Sequence, residues 1–559
     1  MKHLGLLFSL IVIASLLAAC ATPTPEVVKE VVKETVIVEG TPQVVEKVVT
    51  ATPEPKGGKI VVAIGAEPDM LYPQRGSSSW AGLINATLYD TLVYIGPDGN
   101  FQPGLAESWE YADDAMTYTF HLRKDVKFHD GTPFNAEAVR FSFERVMDPE
   151  ARAWAAYAYM EAEKLDSVEV LDEYTVRVNY KEPFAPFMTA ITTMWLAPVS
   201  PPAVEKWGED FGRNPVGTGP FKFVEWVSGS HVTVERNPDY KWAPPFIENK
   251  GPAYLEQITF RFITDNQTRL AALETGEADI IESVPAPEVP RFWSDPGYQI
   301  LKHIPAGNGM ILQINHDKWP GSMMEVRQAM NYAVNQVAIN NILYTGLYDP
   351  AYGPVSPTTP CYWKGVEDLY PHDLDKAKQI LADAGFKDTD GDGIVEMDGK
   401  PLAIDFYWNA GLTGWTQLAE AVQAQMRQAG IDLVLYGLER DAYFSAVHDA
   451  KQGMNFMWYE RDDPDILRIL FHSKGAVEGG FNRAYYRNAE VDVYLDKGAQ
   501  TGDLEQRCES YYKAQEQIMK DAAIVPVNNR VVFWGAKSSL KDLVMPKQVP
   551  FYHDAYIEK

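Results

Sequence analysis

The chain has 559 residues, 46% hydrophobic and 12% aromatic, which is too much material for one simple core and enough for two or three. Its 50 basic and 77 acidic residues give a formal net charge of −27, which argues against a phosphate-backbone partner and against a body lying on an anionic lipid surface. No segment beyond the first twenty residues offers about 18 uninterrupted apolar residues, so the sequence excludes a spanning helix from the body.

The N-terminus combines Lys2 and His3 with an apolar run from Leu4 to Leu17, the pattern of a secretory signal rather than of a membrane span. Leu17-Ala18-Ala19-Cys20 resembles the lipobox of bacterial lipoproteins. The resemblance implies a signal peptide over 1–19 and lipidation of Cys20, which would anchor the chain to the cell membrane on its extracytoplasmic side. An ordinary signal peptide that happens to contain a cysteine is the alternative. Residues 20–56 hold two related units, TPEVV at 24–28 and TPQVV at 41–45, with no aromatic residue and no helical stripe. A flexible, solvated tether is expected there, with a transient strand as the competing state.

Beyond Gly58 the pattern is globular. GKIVVAIG reads as a buried strand, while YTFHLRKDVKF and YTVRVNY alternate with period two. EVRQAMNYAVNQVAINNIL (325–343) and LDKAKQILADAG (374–385) read as helices, the second stopped by Gly385. WTQLAEAVQAQMRQAGIDLVLYGL reads as helix, glycine stop and strand, and the segment from Asp503 to Val527 continues the alternation. Helices and strands alternate throughout, so the fold class is α/β.

Several motifs then follow in order: GGKIVVAIGAEPDMLYPQ, LYDTLVYIGPDGNFQPGLAESWEY, FHDGTPFNAEAVRFSFERVMDP, NPVGTGPFKFVEW, RLAALETGEADII, EVRQAMNYAVNQVAI, DDPDILRILFHS and AQEQIMKDAAIVPV. Together they resemble the dipeptide/oligopeptide-binding (peptide/nickel) family of solute-binding lipoproteins that feed ABC importers, from Gly57 to the C-terminus. The resemblance implies a periplasmic-binding-protein-like clamshell with two main lobes and an extra lobe inserted early. Lobe I would comprise 57–95, 206–308 and 528–559, the inserted lobe 96–205, and lobe II 309–527, hinged near Gly307 and Val527. It also implies capture by closure around a solute, permease subunits as partners, no cofactor, no nucleic acid and no enzymatic turnover.

The remaining chemical signals are weaker. DTDGDGIVEMDG places Asp388, Asp390, Asp392 and Gly393 as a calcium loop would, but Gly399 stands where a bidentate Glu is required. An acidic β-turn is the first reading, and no metal is expected. His-Glu-x-x-His and Gly-x-Ser-x-Gly are absent, and GSSSWAG only resembles the latter. Cys361 and Cys508 fall in the same expected lobe and are candidates for a bridge, although sequence does not show that they come within reach.

Candidate ligand-binding residues come from local context taken with the resemblance. They are Trp80 after a turn-rich loop, Trp195 in a Pro-bounded segment, Tyr407, Trp408 and Asn409 at one strand end, and Trp458 at another. In peptide-binding relatives an Asp four residues before the Pro of a DP pair holds the ligand's amino group. That position is Glu460 here, with Asp463 as the fallback, and both are equally readable as N-terminal charges for a helix starting near Ile466. A peptide is the first expected cargo. An oligosaccharide stacked on Trp195, Trp408 or Trp458 is the alternative, and a lipid-anchored hydrolase is the rival from another class.

Overall fold

The computed structural model describes residues 29–38, 41–50, 56–412, 414–545 and 550–558. The expected signal peptide and Cys20 lie outside the described residues. The chain divides into two compact units, 1–56 and 57–559. In the first, where a solvated tether is expected, Lys29–Val38 pairs antiparallel with Thr41–Thr50, in register from Lys29↔Thr50 to Val38↔Thr41. Valine and threonine are frequent in both segments, and β-branched residues favour the extended backbone that such a ladder requires.

Three sheets organise the second unit. A seven-stranded sheet runs in the order Phe221–Val227, His231–Arg236, Gln257–Phe262, Lys59–Ile64, Ile280–Ile281, Val532–Lys537 and Tyr298–His303. A six-stranded sheet runs Asp349–Pro350, Ile524–Asn529, Gly307–Ile314, Met454–Glu460, Ala403–Asn409 and Asp432–Leu438. The third is antiparallel, with the order Ala106–Tyr111, Thr117–Leu122, Thr175–Tyr180 and Leu165–Asp172.

The third sheet shows the predicted alternation directly. Tyr118, Phe120 and Leu122 on one strand, and Val176, Val178 and Tyr180 on its neighbour, are all buried, while the residues between them are not. Their face packs on Val139, Phe143 and Val146 of the helix Ala136–Met147. Asn135 caps that helix, its side chain accepting from the Ala138 amide at 3.1 Å.

The predicted helix over 325–343 is two helices, Met324–Ala333 and Gln336–Tyr344. The break is at Asn335, whose side chain accepts from the Ala338 amide at 2.9 Å and so starts a new helix instead of continuing the old one. The helix Leu374–Asp383 ends as expected, with Gly385 at φ +97°.

The chain passes between the seven- and six-stranded sheets at 304–306 and again at 530–531. The first crossing ends just before Gly307, the first residue of the strand Gly307–Ile314. The second lies just beyond Val527, which sits inside the strand Ile524–Asn529. Cys361 and Cys508 are joined by a disulfide, with Cα atoms 4.7 Å apart, tying the helix Leu504–Lys520 to the loop after Pro350. Among the described residues no helix is long and apolar enough to cross a membrane.

Candidate functional site

A cavity of about 530 Å³ opens where the strand Met454–Glu460 leaves its sheet. One wall is the continuous stretch Trp458 to Asp463, and the facing wall comes from the helix Trp154–Met160 and from the segment around Thr189 and Trp195. A second cavity of about 490 Å³ adjoins it and shares Ile95, His303, Ala306 and Asp462 in its lining.

The charges along the Trp458–Asp463 wall are held in different ways. Glu460 accepts from Arg530 at 3.1 Å, and the Arg530 guanidinium lies 4.3 Å from the Trp458 ring centroid. Since Arg530 belongs to the second crossing, this pair ties the sheet end to the passage between sheets. Asp463 is 1% exposed and takes bonds from Arg507 Nη2 at 2.6 Å, Thr189 Oγ1 at 2.8 Å and the Asp465 amide at 2.9 Å. Burial alone would raise its pKa, but Arg507 and these bonds outweigh burial and hold it below the usual carboxylate range. Asp465, two residues on, accepts from Arg468 at 2.8 and 2.6 Å and from the Tyr511 hydroxyl at 3.1 Å.

Several of these groups reach across to the region of the antiparallel sheet. Arg468 also binds Glu161, and Asp463 binds Thr189. The Ala185 amide donates to Ala499 O at 2.8 Å, and the Gly502 amide to Asp113 O at 3.2 Å. Burial would raise the Glu161 pKa, yet Arg468 and Lys164 bring it below its ordinary value. The two regions are therefore joined by the half-buried Arg468–Glu161 ion pair, the buried Asp463–Thr189 bond and main-chain bonds.

Arg461 stands apart. It is 7% exposed, its amide donates to Ala306 O at 3.1 Å, and its guanidinium lies 4.9 Å from the Tyr159 ring centroid on the facing wall. Among the described residues that guanidinium has no ion pair and no hydrogen bond.

Trp195, Trp458, Glu460 and Asp463 thus line the cavity, and the other candidate residues lie elsewhere. Trp80 donates to Glu282 at 2.9 Å and packs against the seven-stranded-sheet core. Trp408 is 4% exposed in the core of the six-stranded sheet and donates to Thr416 at 3.1 Å. Period two explains this, because Trp408 shares a sheet face with Phe406 and Ile404, both buried. Tyr407, on the opposite face, stacks on Tyr436, its partner in parallel register, at 4.7 Å. Asn409 accepts from the Gly411 amide at 3.0 Å and shapes the turn.

The acidic loop folds as a turn. Asp388 accepts from the Gly391 and Gly393 amides at 2.7 and 3.1 Å, Asp392 from Ile394 at 2.8 Å, and Glu396 from Thr389 at 2.9 Å. Sequence reasoning does not single out Tyr159, Thr189, Arg461 or Arg507. Only Arg461 carries a local signal, as the one cation in WYERDDPD.

Comparison with known proteins places this geometry. Residues 100–478 match the family model described as bacterial extracellular solute-binding proteins, family 5. The glutathione-binding protein GsiB of Salmonella choleraesuis is 28% identical over 516 residues, 91% of this chain and 96% of that protein. The periplasmic binding protein DppA of Helicobacter pylori, solved with the peptide STSA, is 28% identical with a TM-score of 0.73, covering 90% of this chain and 99% of its own. NikA of Brucella suis, solved with Fe(III)-EDTA, is 26% identical with a TM-score of 0.79, covering 89% and 99%. The fold is that of the periplasmic binding proteins. The chain belongs to the bacterial extracellular solute-binding proteins, family 5, the ABC-importer family that its ordered motifs resemble, and it is a binding protein, not an enzyme.

Proposed function

We propose that this chain captures peptides in the cavity beside Trp458–Asp463 and delivers them to an ABC import permease, anchored to the cell membrane through acyl chains on Cys20. In this reading the seven-stranded sheet is the core of lobe I, the six-stranded sheet that of lobe II, and the antiparallel sheet that of the inserted lobe. The solute binds one face and bridges to the other, favouring the closed state that the permease engages.

The observation that carries the peptide reading is the placement of Glu460 and Arg461, opposite in charge, on neighbouring residues of the cavity wall. A peptide is a zwitterion, and such a wall offers Arg461 to its carboxylate and Glu460, which keeps acceptor capacity beside its bond from Arg530, to its amine. Relatives support the same choice, since one is named for glutathione and another was solved with the peptide STSA. The oligosaccharide alternative has less support. Sugar faces need open indole rings, but Trp408 is in the core and a face of Trp458 carries Arg530, which leaves Trp195.

Native mass spectrometry of the purified protein with its co-purified ligand tests this reading. A set of adduct masses that fragment as peptides is expected, and a hexose or pentose series would contradict it.

A further inference from the structure

Four arginines of the described chain are buried to 7% exposure or less: Arg269, Arg327, Arg461 and Arg507. Arg269 bonds the carbonyls of Ile263, Thr264 and Glu282. Arg327 bonds those of Gly321, Asp521 and Ala522, and Arg507 bonds Gly498 O and Asp463. Three of the four follow the general rule that a desolvated guanidinium must be hydrogen-bonded. Arg461 is the one of the four that lines the cavity, and its guanidinium nitrogens have no protein partner among the described residues and stay open to the cavity. Its guanidinium carbon lies 4.9 Å from the Tyr159 ring centroid, and among the described residues its five N–H donors have no protein acceptor.

We propose that the missing acceptor is the ligand's carboxylate, so that Arg461 selects solutes carrying a free carboxylate and discriminates against their neutral counterparts. A planar guanidinium held against a ring presents the two-pronged donor geometry that a carboxylate accepts. Asp462 adjoins Arg461 on the same wall, so a singly charged carboxylate meets less like-charge repulsion there than a phosphate dianion would. The inference rests on this cavity being the solute site, and it narrows the substrate class from peptides in general to peptides with a free C-terminal acid.

The test is native mass spectrometry of the full chain with a tripeptide library presented as free acids and as C-terminal amides, alongside neutral and uronic-acid oligosaccharides. Wild type, Arg461→Gln and Arg461→Lys are compared. The expected result is retention of free acids over amides, loss of that retention by about tenfold or more in Arg461→Gln, and partial recovery in Arg461→Lys. Retention of uronic acids over neutral sugars with the same dependence on Arg461 would sustain this inference while removing the peptide reading. Equal retention of acids and amides would overturn the inference and leave the peptide reading standing. Retention of no carboxylate would overturn it too. A thermal melt supplies a readout that a purely structural arginine would not give. Without ligand, Arg461→Gln is expected to melt no lower than wild type, because the guanidinium has no protein hydrogen bond or ion pair to lose. A clear loss of melting temperature would mark Arg461 as structural and overturn the assignment.

Discussion

Replacing Arg507 with methionine is expected to destabilise the protein by about 3–5 kcal/mol, because it leaves the Asp463 carboxylate buried without its cation. Asp463 is 1% exposed and Arg507 7%, so water cannot substitute for the lost partner. The pH dependence has a definite sign. Arg507 depresses the folded-state pKa of Asp463, so the pair's stabilisation is fully present above the unfolded carboxylate value of about 3.9 and is lost as pH falls through the lower folded value. In Arg507→Met the carboxylate can relieve its burial by taking up a proton, so the deficit relative to wild type should narrow as pH falls toward 4. Urea denaturation at pH 7 and pH 4.5 measures both effects. The double variant Arg507→Met, Asp463→Leu should recover most of the loss, since removing both charges of a buried pair costs far less than removing one. A single-variant deficit below about 1 kcal/mol would show that the pair is solvated, contrary to this structure.

Gly307→Ala is expected to cost about 2–4 kcal/mol and to weaken solute binding by about tenfold or more, two effects with one origin. Gly307 has φ +116°, where a side chain is strained in any surroundings. A Cβ built there would lie 2.3 Å from Tyr459 O, 2.7 Å from the Arg461 amide nitrogen and 2.9 Å from the Glu460 Cα, all main-chain atoms that cannot swing aside. The clash therefore falls on the first crossing between the sheets and on the segment that presents Glu460 and Arg461 to the cavity. Gly229→Ala is the control, since Gly229 has φ +73° but nothing within 4 Å of the point its new methyl would occupy. It should show only the backbone cost of about 1–2 kcal/mol, with binding unchanged. Equal losses in the two variants would mean that Gly307 is needed for its backbone angle alone and not for the close approach of the two strands.

Local chemistry was legible in the sequence wherever it needed only neighbours in the chain. The alternation in TYTFHL and TVRVNY marked both strands and their buried faces. Gly385 ended its helix, and the order helix, glycine, strand held for Trp415–Gln428, Gly430 and Asp432–Leu438. Asn335 was missed because its flanks are both helical, and only its capping bond shows that it divides them. Trp408 shows how a site can be misread. An aromatic residue at a strand end suggests a binding surface, yet the same period two that identifies the strand places Trp408 beside Phe406 in the core. Arg461 shows the converse. Its sequence context offers carboxylates in plenty, and its isolation emerges only when Glu460 is taken by Arg530, Asp463 by Arg507, and Tyr159, from a distant part of the chain, closes over it. Pairings across such distances have no periodicity to betray them.

Small-angle scattering with and without the free-acid tripeptide library, followed by mass analysis of what is released, tests the central claim of closure around an unaltered solute most directly. The account predicts a smaller radius of gyration in the bound state and recovery of every retained peptide intact. An unchanged radius with peptide demonstrably bound, or peptides returned cleaved, would contradict it.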